Sequence, residues 1–293
     1  MNPSPALQTV IAQKLTTHFS FTGKINFSLV GGGSINDTYR ISVANQSVFC
    51  KINSATKFPH LFQTEKAGLS LLAQTGNQKT PQVIDCFEME GFQCLLLEWI
   101  EPGIPNESFW KTFGERLAAL HSVTGNRFGL AEDNYMGSVP QQNNQHDKWC
   151  SFFTENRLFP LMKKCSANNL LSSKDCSLLE NLATKLPNIF NKEETSLLHG
   201  DLWSGNFLCT EDFEPVLIDP AVYYGHRSVD MAMTTLFGGF QQSFYEAYHY
   251  HYPLPSNYKE QWTVCNIYPL LIHLYLFGTS YLPSIRNTLQ QFS

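Results

Sequence analysis

One short segment, Glu101-Pro102-Gly103-Ile104-Pro105, divides the chain. Two prolines and a glycine in so short a span can continue neither a helix nor a central strand. Ahead of it, short apolar stretches read as strands at Lys24–Val30, Thr38–Val43, Ser47–Ile52, Gln82–Phe87 and Gln93–Trp99. Gly31-Gly32-Gly33, Asn45-Gln46 and Glu90-Gly91 mark turns between them. An amphipathic helix is predicted from Pro5, capped by Ser4, with Leu7, Val10, Ile11 and Leu15 on one face, and a second over Pro59–Gln74. Beyond the break the pattern turns helical: Ser108–His121, Trp149–Met162, Ser173–Leu186 and three or so later segments, with Gln141-Gln142-Asn143-Asn144-Gln145 as a polar loop. The expected fold is α+β in two lobes, residues 1–100 with a small antiparallel sheet and residues 101–293 mostly helical. The cleft under the linker is the expected ligand site.

Composition narrows the function. Hydrophobic residues form 43% of the 293 and charged ones 15%, the balance of a globular chain. With 20 Lys+Arg against 25 Asp+Glu the net charge is −5, which argues against a nucleic-acid partner, since phosphate neutralisation needs clustered cations. Eight cysteines are scattered, with no C-x-x-C pair and no zinc spacing, so free thiols in a reducing cytoplasm are expected. The start, Met1-Asn2-Pro3-Ser4-Pro5, lacks the features of a signal peptide. The most apolar run, Ile267 to Leu282, contains Pro269, His273 and Gly278 and reads as a buried C-terminal helix rather than a membrane span. A cytoplasmic monomer without a membrane partner is expected.

The chemistry concentrates in His199-Gly200-Asp201-Leu202-Trp203-Ser204-Gly205-Asn206, followed by Val216-Leu217-Ile218-Asp219. Asp-x-x-x-x-Asn and a later Asp at the end of an apolar run are the minimum set for phosphoryl transfer. One carboxylate takes the hydroxyl proton, while an amide oxygen and a second carboxylate hold magnesium. The competing reading, a loop in which Asp201 and Asn206 merely cap backbone, is weakened by what lies upstream. Gly31, Gly32, Gly33 and Ser34 can drape backbone N–H groups over phosphates, Lys51 ends a strand run, and Glu65 lies on the following helix. Each alone reads as an ordinary turn or surface residue; their order along the chain is that of a protein-kinase-like fold.

The sequence resembles the fructosamine kinase, or ketosamine 3-kinase, family of the protein-kinase-like aminoglycoside phosphotransferase group. The matching stretches are the His199–Asn206 motif, Ile218-Asp219-Pro220-Ala221, Tyr224-Gly225-His226-Arg227, Phe128-Gly129-Leu130, Asp133-Asn134-Tyr135-Met136-Gly137, Pro140-Gln141-Gln142-Asn143, and Trp149 through Glu155-Asn156-Arg157-Leu158. The resemblance implies ATP and Mg2+ as cofactors, Asp201 as catalytic base, Asn206 and Asp219 as magnesium ligands, and Lys51 with Glu65 as the phosphate anchor. It places adenine against the backbone of Glu98-Trp99-Ile100. It also implies phosphorylation at O3 of a ketoamine, free or protein-bound, whose unstable 3-phosphate breaks down and frees the amine. Ser228 stands where the family usually has Glu, and Ser34 where some members have Cys. Asp230 is expected to cap a helix and steady the catalytic loop.

Several features point to a small acceptor rather than a protein hydroxyl. Gly200 replaces the Arg of His-Arg-Asp, Pro220 follows Asp219 in place of Phe-Gly, and no Ala-Pro-Glu follows. Trp203 offers an apolar face to a sugar or amine, against the alternative of a core Trp under the loop. His199 is expected to orient loop backbone; His249 and His251 read as an aromatic-rich helix end rather than a metal site. No Gly-x-Ser-x-Gly is present. Two other readings stay open: a relative acting on an aminoglycoside or choline-like alcohol, and an inactive module that binds nucleotide or glycated ligand.

Overall fold

The structure is a computed structural model that describes residues 3–20, 25–31, 35–43, 45–190 and 194–293. Lys24, and Gly32, Gly33 and Ser34 of the glycine loop, lie outside the described residues.

Five antiparallel strands form the N-terminal sheet: β1 (Asn26–Leu29), β2 (Asp37–Val43), β3 (Gln46–Ser54), β4 (Val83–Met89) and β5 (Phe92–Glu98), in the order β1-β2-β3-β5-β4. Side chains alternate across a strand, so β5 sends Cys94 and Leu96 into one apolar cluster and Leu95 and Leu97 into another. The first is covered by α1 (Pro5–Phe19) through Leu7, Ile11 and Leu15, the second by α2 (Leu61–Gln74) through Leu61, Phe62 and Leu69. Burial on both faces explains why β5 reads as a continuous apolar run. Ser4 caps α1, its Oγ accepting from the Leu7 amide at 3.2 Å. Between β4 and β5, Glu90 and Gly91 both take positive φ, 50° and 79°, as a tight two-residue hairpin turn requires.

At Glu101–Pro105 the chain leaves the sheet, and the Gly103 amide anchors to the Cys209 carbonyl at 2.7 Å. Then follow α3 (Glu107–His121), a hairpin of β6 (Asn134–Met136) and β7 (Val139–Gln141), α4 (Trp149–Phe153), a π-turn (Thr154–Leu158), α5 (Phe159–Ala167) and α6 (Ser173–Ile189). Four short strands carry the site: β8 (Ser196–Leu198), β9 (Phe207–Cys209), β10 (Pro215–Leu217) and β11 (Tyr223–Gly225). Helices α7 (Ser228–Leu236), α8 (Gln242–His251), α9 (Tyr258–Cys265), α10 (Ile267–Phe277) and α11 (Leu282–Gln291) complete the chain.

Four details depart from the sequence reading. The helix expected over Trp149–Met162 contains the π-turn. Pro160 has no N–H for the Asn156 carbonyl one turn back, and Arg157 Nη1 bonds that carbonyl instead, at 3.1 Å. The tract from Gln141 to Gln145 is not simply a solvated loop, since Gln141 ends β7 and both Gln141 and Asn143 are buried. The apolar run Ile267–Leu282 is two helices, because Gly278 takes φ 92° and ends α10. Five helices, not three or so, follow β11.

Two apolar clusters fill the C-terminal lobe. The larger gathers Trp149, Phe152 and Phe153 with Leu179, Leu182 and Leu186 of α6 and Leu271 of α10. The other packs Phe109, Phe113 and Leu117 of α3 against Phe244 and Tyr248 of α8, and takes in Leu197, Leu202 and Leu217 from the segments around the catalytic motif. Each fully buried side chain of this size contributes about 1.5–3 kcal/mol, so the motif is mounted on a rigid base. All eight cysteines are free thiols. Among the described residues no helix is long and apolar enough to cross a membrane.

Candidate active site

β8 pairs with β11 and β9 with β10, so the His199–Asn206 loop is strung between two short antiparallel pairs. Its path depends on Gly200, at φ 84°, where an added Cβ would lie 2.1 Å from the Ala221 carbonyl oxygen. Ala221 in turn donates its amide to the His199 carbonyl at 2.8 Å. The kinase arginine is therefore sterically incompatible with this loop. The Ile218 amide bonds the Asn206 carbonyl at 3.1 Å, bringing Asp219 beside the loop. Asp219 itself sits at φ 55°, a left-handed conformation that costs a non-glycine residue about 1–2 kcal/mol.

Three of the predicted residues meet at one ammonium. Lys51 Nζ, on β3, donates to Glu65 Oε1 on α2 at 2.7 Å and to Asp219 Oδ1 at 2.6 Å. Glu65 reaches it because residues 62, 65, 69 and 72 share the buried face of α2. Burial works against each charge here. On Lys51 the two carboxylates outweigh it, and the pKa is held above the usual lysine range. On Glu65 burial prevails over Lys51, with Asp219 adding like charge, and the pKa is raised.

Asp201 and Asn206 form the second contact set. Asn206 Nδ2 donates to the Asp201 carbonyl at 2.8 Å and to its Oδ2 at 3.0 Å, leaving the amide oxygen of Asn206 for another partner. Burial and then the charge of Asp219 push the Asp201 carboxyl up to about 7, against the Asn206 bond and with a further push from Asp230. His199 is fully buried, which lowers its pKa. Its Nε2 lies 2.9 Å from the Ile218 carbonyl, and its Nδ1 accepts from the Asp201 amide at 3.2 Å. Those partners assign a neutral ring protonated at Nε2, which ties the two halves of the site together.

Asp230 steadies the catalytic loop as expected, but not as a helix cap. It lies inside the first turn of α7, whose N-cap is Arg227, and both its oxygens go to the catalytic loop: Oδ2 to the His199 amide at 2.7 Å, Oδ1 to the Gly200 amide at 2.8 Å. Oδ2 also lies 3.2 Å from His121 Nε2, and His121 Nδ1 lies 2.7 Å from the Tyr248 hydroxyl. Sequence reading missed His121 and Tyr248. The available signal was a histidine on the otherwise apolar face of α3. Ser228, in place of the family's Glu, is buried and bonds Gln261 Oε1 at 2.9 Å. A buried network behind β11 was also missed: Asn134 Nδ2 holds the Val222 carbonyl at 2.8 Å, and Gln141 Nε2 holds Asn134 Oδ1 at 2.8 Å.

Gly31 is exposed at the end of β1; Gly32, Gly33 and Ser34 are outside the described residues. Glu98 ends β5, but its amide already donates to the Gln82 carbonyl at 2.8 Å, so it offers no free N–H to an adenine. Ile100 makes no backbone hydrogen bond among the described residues. The Trp99 ring lies under Arg40, 4.4 Å from guanidinium to ring centroid. Trp203 is 37% exposed, not buried under the loop. Its ring lies against Gly205, where an added Cβ would be 2.3 Å from Cη2. The donor set of Asp219, half-open to solvent, and the spare Asn206 oxygen is of hard oxygens, which suits a magnesium ion that takes its other ligands from phosphate and water.

A five-stranded antiparallel sheet carrying a Lys–Glu pair, facing a helical lobe whose loops present Asp, Asn and Asp, defines a protein-kinase-like fold. Residues 3–293 match the family model for fructosamine kinase, and the chain belongs to that family. A Synechocystis protein described as a probable ketoamine kinase is 37% identical over 296 residues, covering 98% of this chain and 97% of its own. The chloroplastic protein-ribulosamine 3-kinase of Arabidopsis thaliana is 30% identical over 298 residues, covering 100% and 88%. A crystal structure of a candidate fructosamine-3-kinase from Haemophilus somnus superposes with a TM-score of 0.87 at 30% identity, over 96% of each chain.

Proposed function

We propose that this family member is an ATP- and magnesium-dependent kinase that phosphorylates O3 of a small ketoamine or of a ketoamine on a glycated protein, leading to deglycation. The observation that carries the reading is the run of direct contacts from Glu65 through Lys51 to Asp219, beside an Asp201 whose carboxylate Asn206 holds. Residues 1–100 act as the nucleotide-binding lobe and 101–293 as the catalytic and substrate lobe, in a cytoplasmic monomer.

In this reading Lys51, fixed by Glu65, binds the α- and β-phosphates, and the linker at Glu98–Ile100 receives adenine. Asn206 and Asp219 hold magnesium, which neutralises charge on the phosphates when bound. Asp201 accepts the O3 proton as O3 bonds the γ-phosphorus and the bridging bond to ADP breaks. A raised carboxyl pKa brings the base nearer to working pH, where its proton affinity is of most use. Trp203 borders the acceptor. After 1,2-enolisation the phosphate leaves C3, and water then releases the amine.

The test is ATP consumption with magnesium across ketoamines, including a ribulosamine in view of the plant relative's name, beside an aminoglycoside and choline. Ketoamine turnover that Asp201→Asn abolishes supports the reading. Turnover confined to another acceptor overturns the substrate assignment, and near-normal turnover by Asp201→Asn overturns the base.

A further inference from the structure

Outward from the catalytic loop runs a strip of rings. Trp203 meets Phe237 edge-on at 5.9 Å between centroids, and Phe237 meets His273 at 4.9 Å. His273 meets Phe277 at 5.5 Å and Tyr281 at 5.1 Å. The strip joins four separate segments: the loop, the end of α7, α10 and the 3-10 turn Thr279–Tyr281. Large apolar side chains in such numbers usually turn inward, yet Trp203, Phe237 and Phe277 are 37%, 40% and 52% exposed.

The local backbone keeps the strip beside the site. Gly205 admits the Trp203 ring against the loop, and Gly239, at φ 96°, lets the segment after Phe237 approach Ser204 so closely that a Cβ there would be 2.6 Å from the Ser204 Cβ. His273 does not make the strip cationic. Its Nδ1 is 2.7 Å from the Pro269 carbonyl, which requires Nδ1–H, and burial lowers its pKa. Its other nitrogen is left as an acceptor at the centre of the strip.

We infer that this strip is the subsite for the amine half of the acceptor, and that it selects ketoamines whose nitrogen carries a large apolar or aromatic substituent over those carrying a small one. The inference rests on the ketoamine reading above. In such a molecule the nitrogen is three bonds from C3, so when O3 faces Asp201 the substituent emerges close to the reacting carbon. Trp203, whose amide donates to the Asp201 carbonyl at 3.1 Å, brings the inner end of the strip to the loop that carries the base. The protonated nitrogen is attracted to ring faces, and the substituent is then removed from water along Phe237 and Phe277. Because the strip is open to solvent, long substituents are not excluded.

Calorimetric binding of ketoamines of one sugar, carrying N-methyl, N-hexyl or N-benzyl, tests this without depending on turnover. The N-benzyl compound is expected to bind about tenfold tighter than N-methyl, or roughly 1.4 kcal/mol, and Phe237→Ser and Phe277→Ser should each bring the ratio below about threefold. Equal affinities, no binding of either, or a ratio that survives both substitutions overturns the inference. So does self-association abolished by Phe277→Ser without any amine preference, which would make the strip a face between copies. Turnover measured in parallel separates the two claims. Amine preference in binding without phosphorylation fells the proposed function and keeps the subsite, whereas phosphorylation without preference does the reverse.

Discussion

The catalytic loop draws its order from a few residues whose side chains contact its backbone rather than any substrate. Asn206 holds both the carbonyl and the carboxylate of Asp201, so the carboxylate has one defined direction. Asp201→Asn keeps that shape while removing the carboxylate proposed as proton acceptor. It should lower kcat by about 10²–10⁴-fold with nucleotide affinity little changed, which a turnover assay beside nucleotide titration would show. Gly205→Ala, in contrast, leaves every charge in place and drives a methyl group into the Trp203 ring. The ring must move, so the expected result is an altered tryptophan emission and a raised KM for the acceptor with ATP KM near normal. At this scale the meeting of Asp201, Asn206 and Asp219 was legible, because they sit at spacings that loop geometry imposes. His121 was not. A buried histidine in an apolar helix face looks the same in sequence whether or not an aspartate meets it.

Among elements, α7 governs the loop through Asp230, which accepts from two consecutive loop amides while α3 and α8 supply His121 and Tyr248 behind it. Asn at position 230 turns an NH2 group toward one of those amides and leaves at least one buried donor unsatisfied. Asp230→Asn should cost about 1–3 kcal/mol in denaturant unfolding and lower kcat more than it raises the KM for ATP. A second inter-element tie joins α6 to α11. Asp175 accepts from Ser172 in a capping box and from Arg286 Nε at 2.8 Å and Nη2 at 2.9 Å. Those bonds, the guanidinium first, outweigh burial and hold the Asp175 carboxyl well below the usual range. A depressed folded-state pKa adds stability above the unfolded value near 3.9 and loses it as pH falls through the folded one. Asp175→Asn should therefore be clearly less stable than the parent at pH 7, with the gap closing below about pH 4 in paired melts. The long helices and the sheet were legible from period and turn residues. Of the three-residue strands, β8 and β10 show as apolar runs ahead of Asp201 and Asp219, whereas β9 and β11 carry too little pattern to be seen; the π-turn and the break at Gly278 depend on single residues within runs that otherwise read as continuous helix.

At the scale of the molecule, one ammonium links the lobes: Lys51 from the sheet meets Asp219 from the helical half, 168 residues later. A ligand that binds across that junction should stabilise both halves together. MgATP at about a hundred times its Kd should raise unfolding free energy by about 2.7 kcal/mol, and Asp219→Ala should remove most of the magnesium-dependent part in a thermal melt. Equal protection with and without the ion would count against Asp219 as a ligand. The two-lobed order was readable because the Pro-Gly break separates two periodicities; the resemblance implied a Lys51–Glu65 pair but not the cross-lobe contact of Lys51 with Asp219, since contacts at that separation leave no local trace. The eight thiols add something unrelated to catalysis. Burial pushes Cys94 up to about 12 and Cys165 to about 11, and Cys50 and Cys265 are also raised well above the ordinary value, so these four carry little reactive thiolate at neutral pH. Cys50 and Cys94 lie in the sheet core, Cys165 and Cys265 in the large helical core. The chain thus carries its own chemical clocks in each half. The rate at which each thiol becomes labelled by an alkylating reagent would time the opening of its lobe, peptide by peptide, with no probe engineered in.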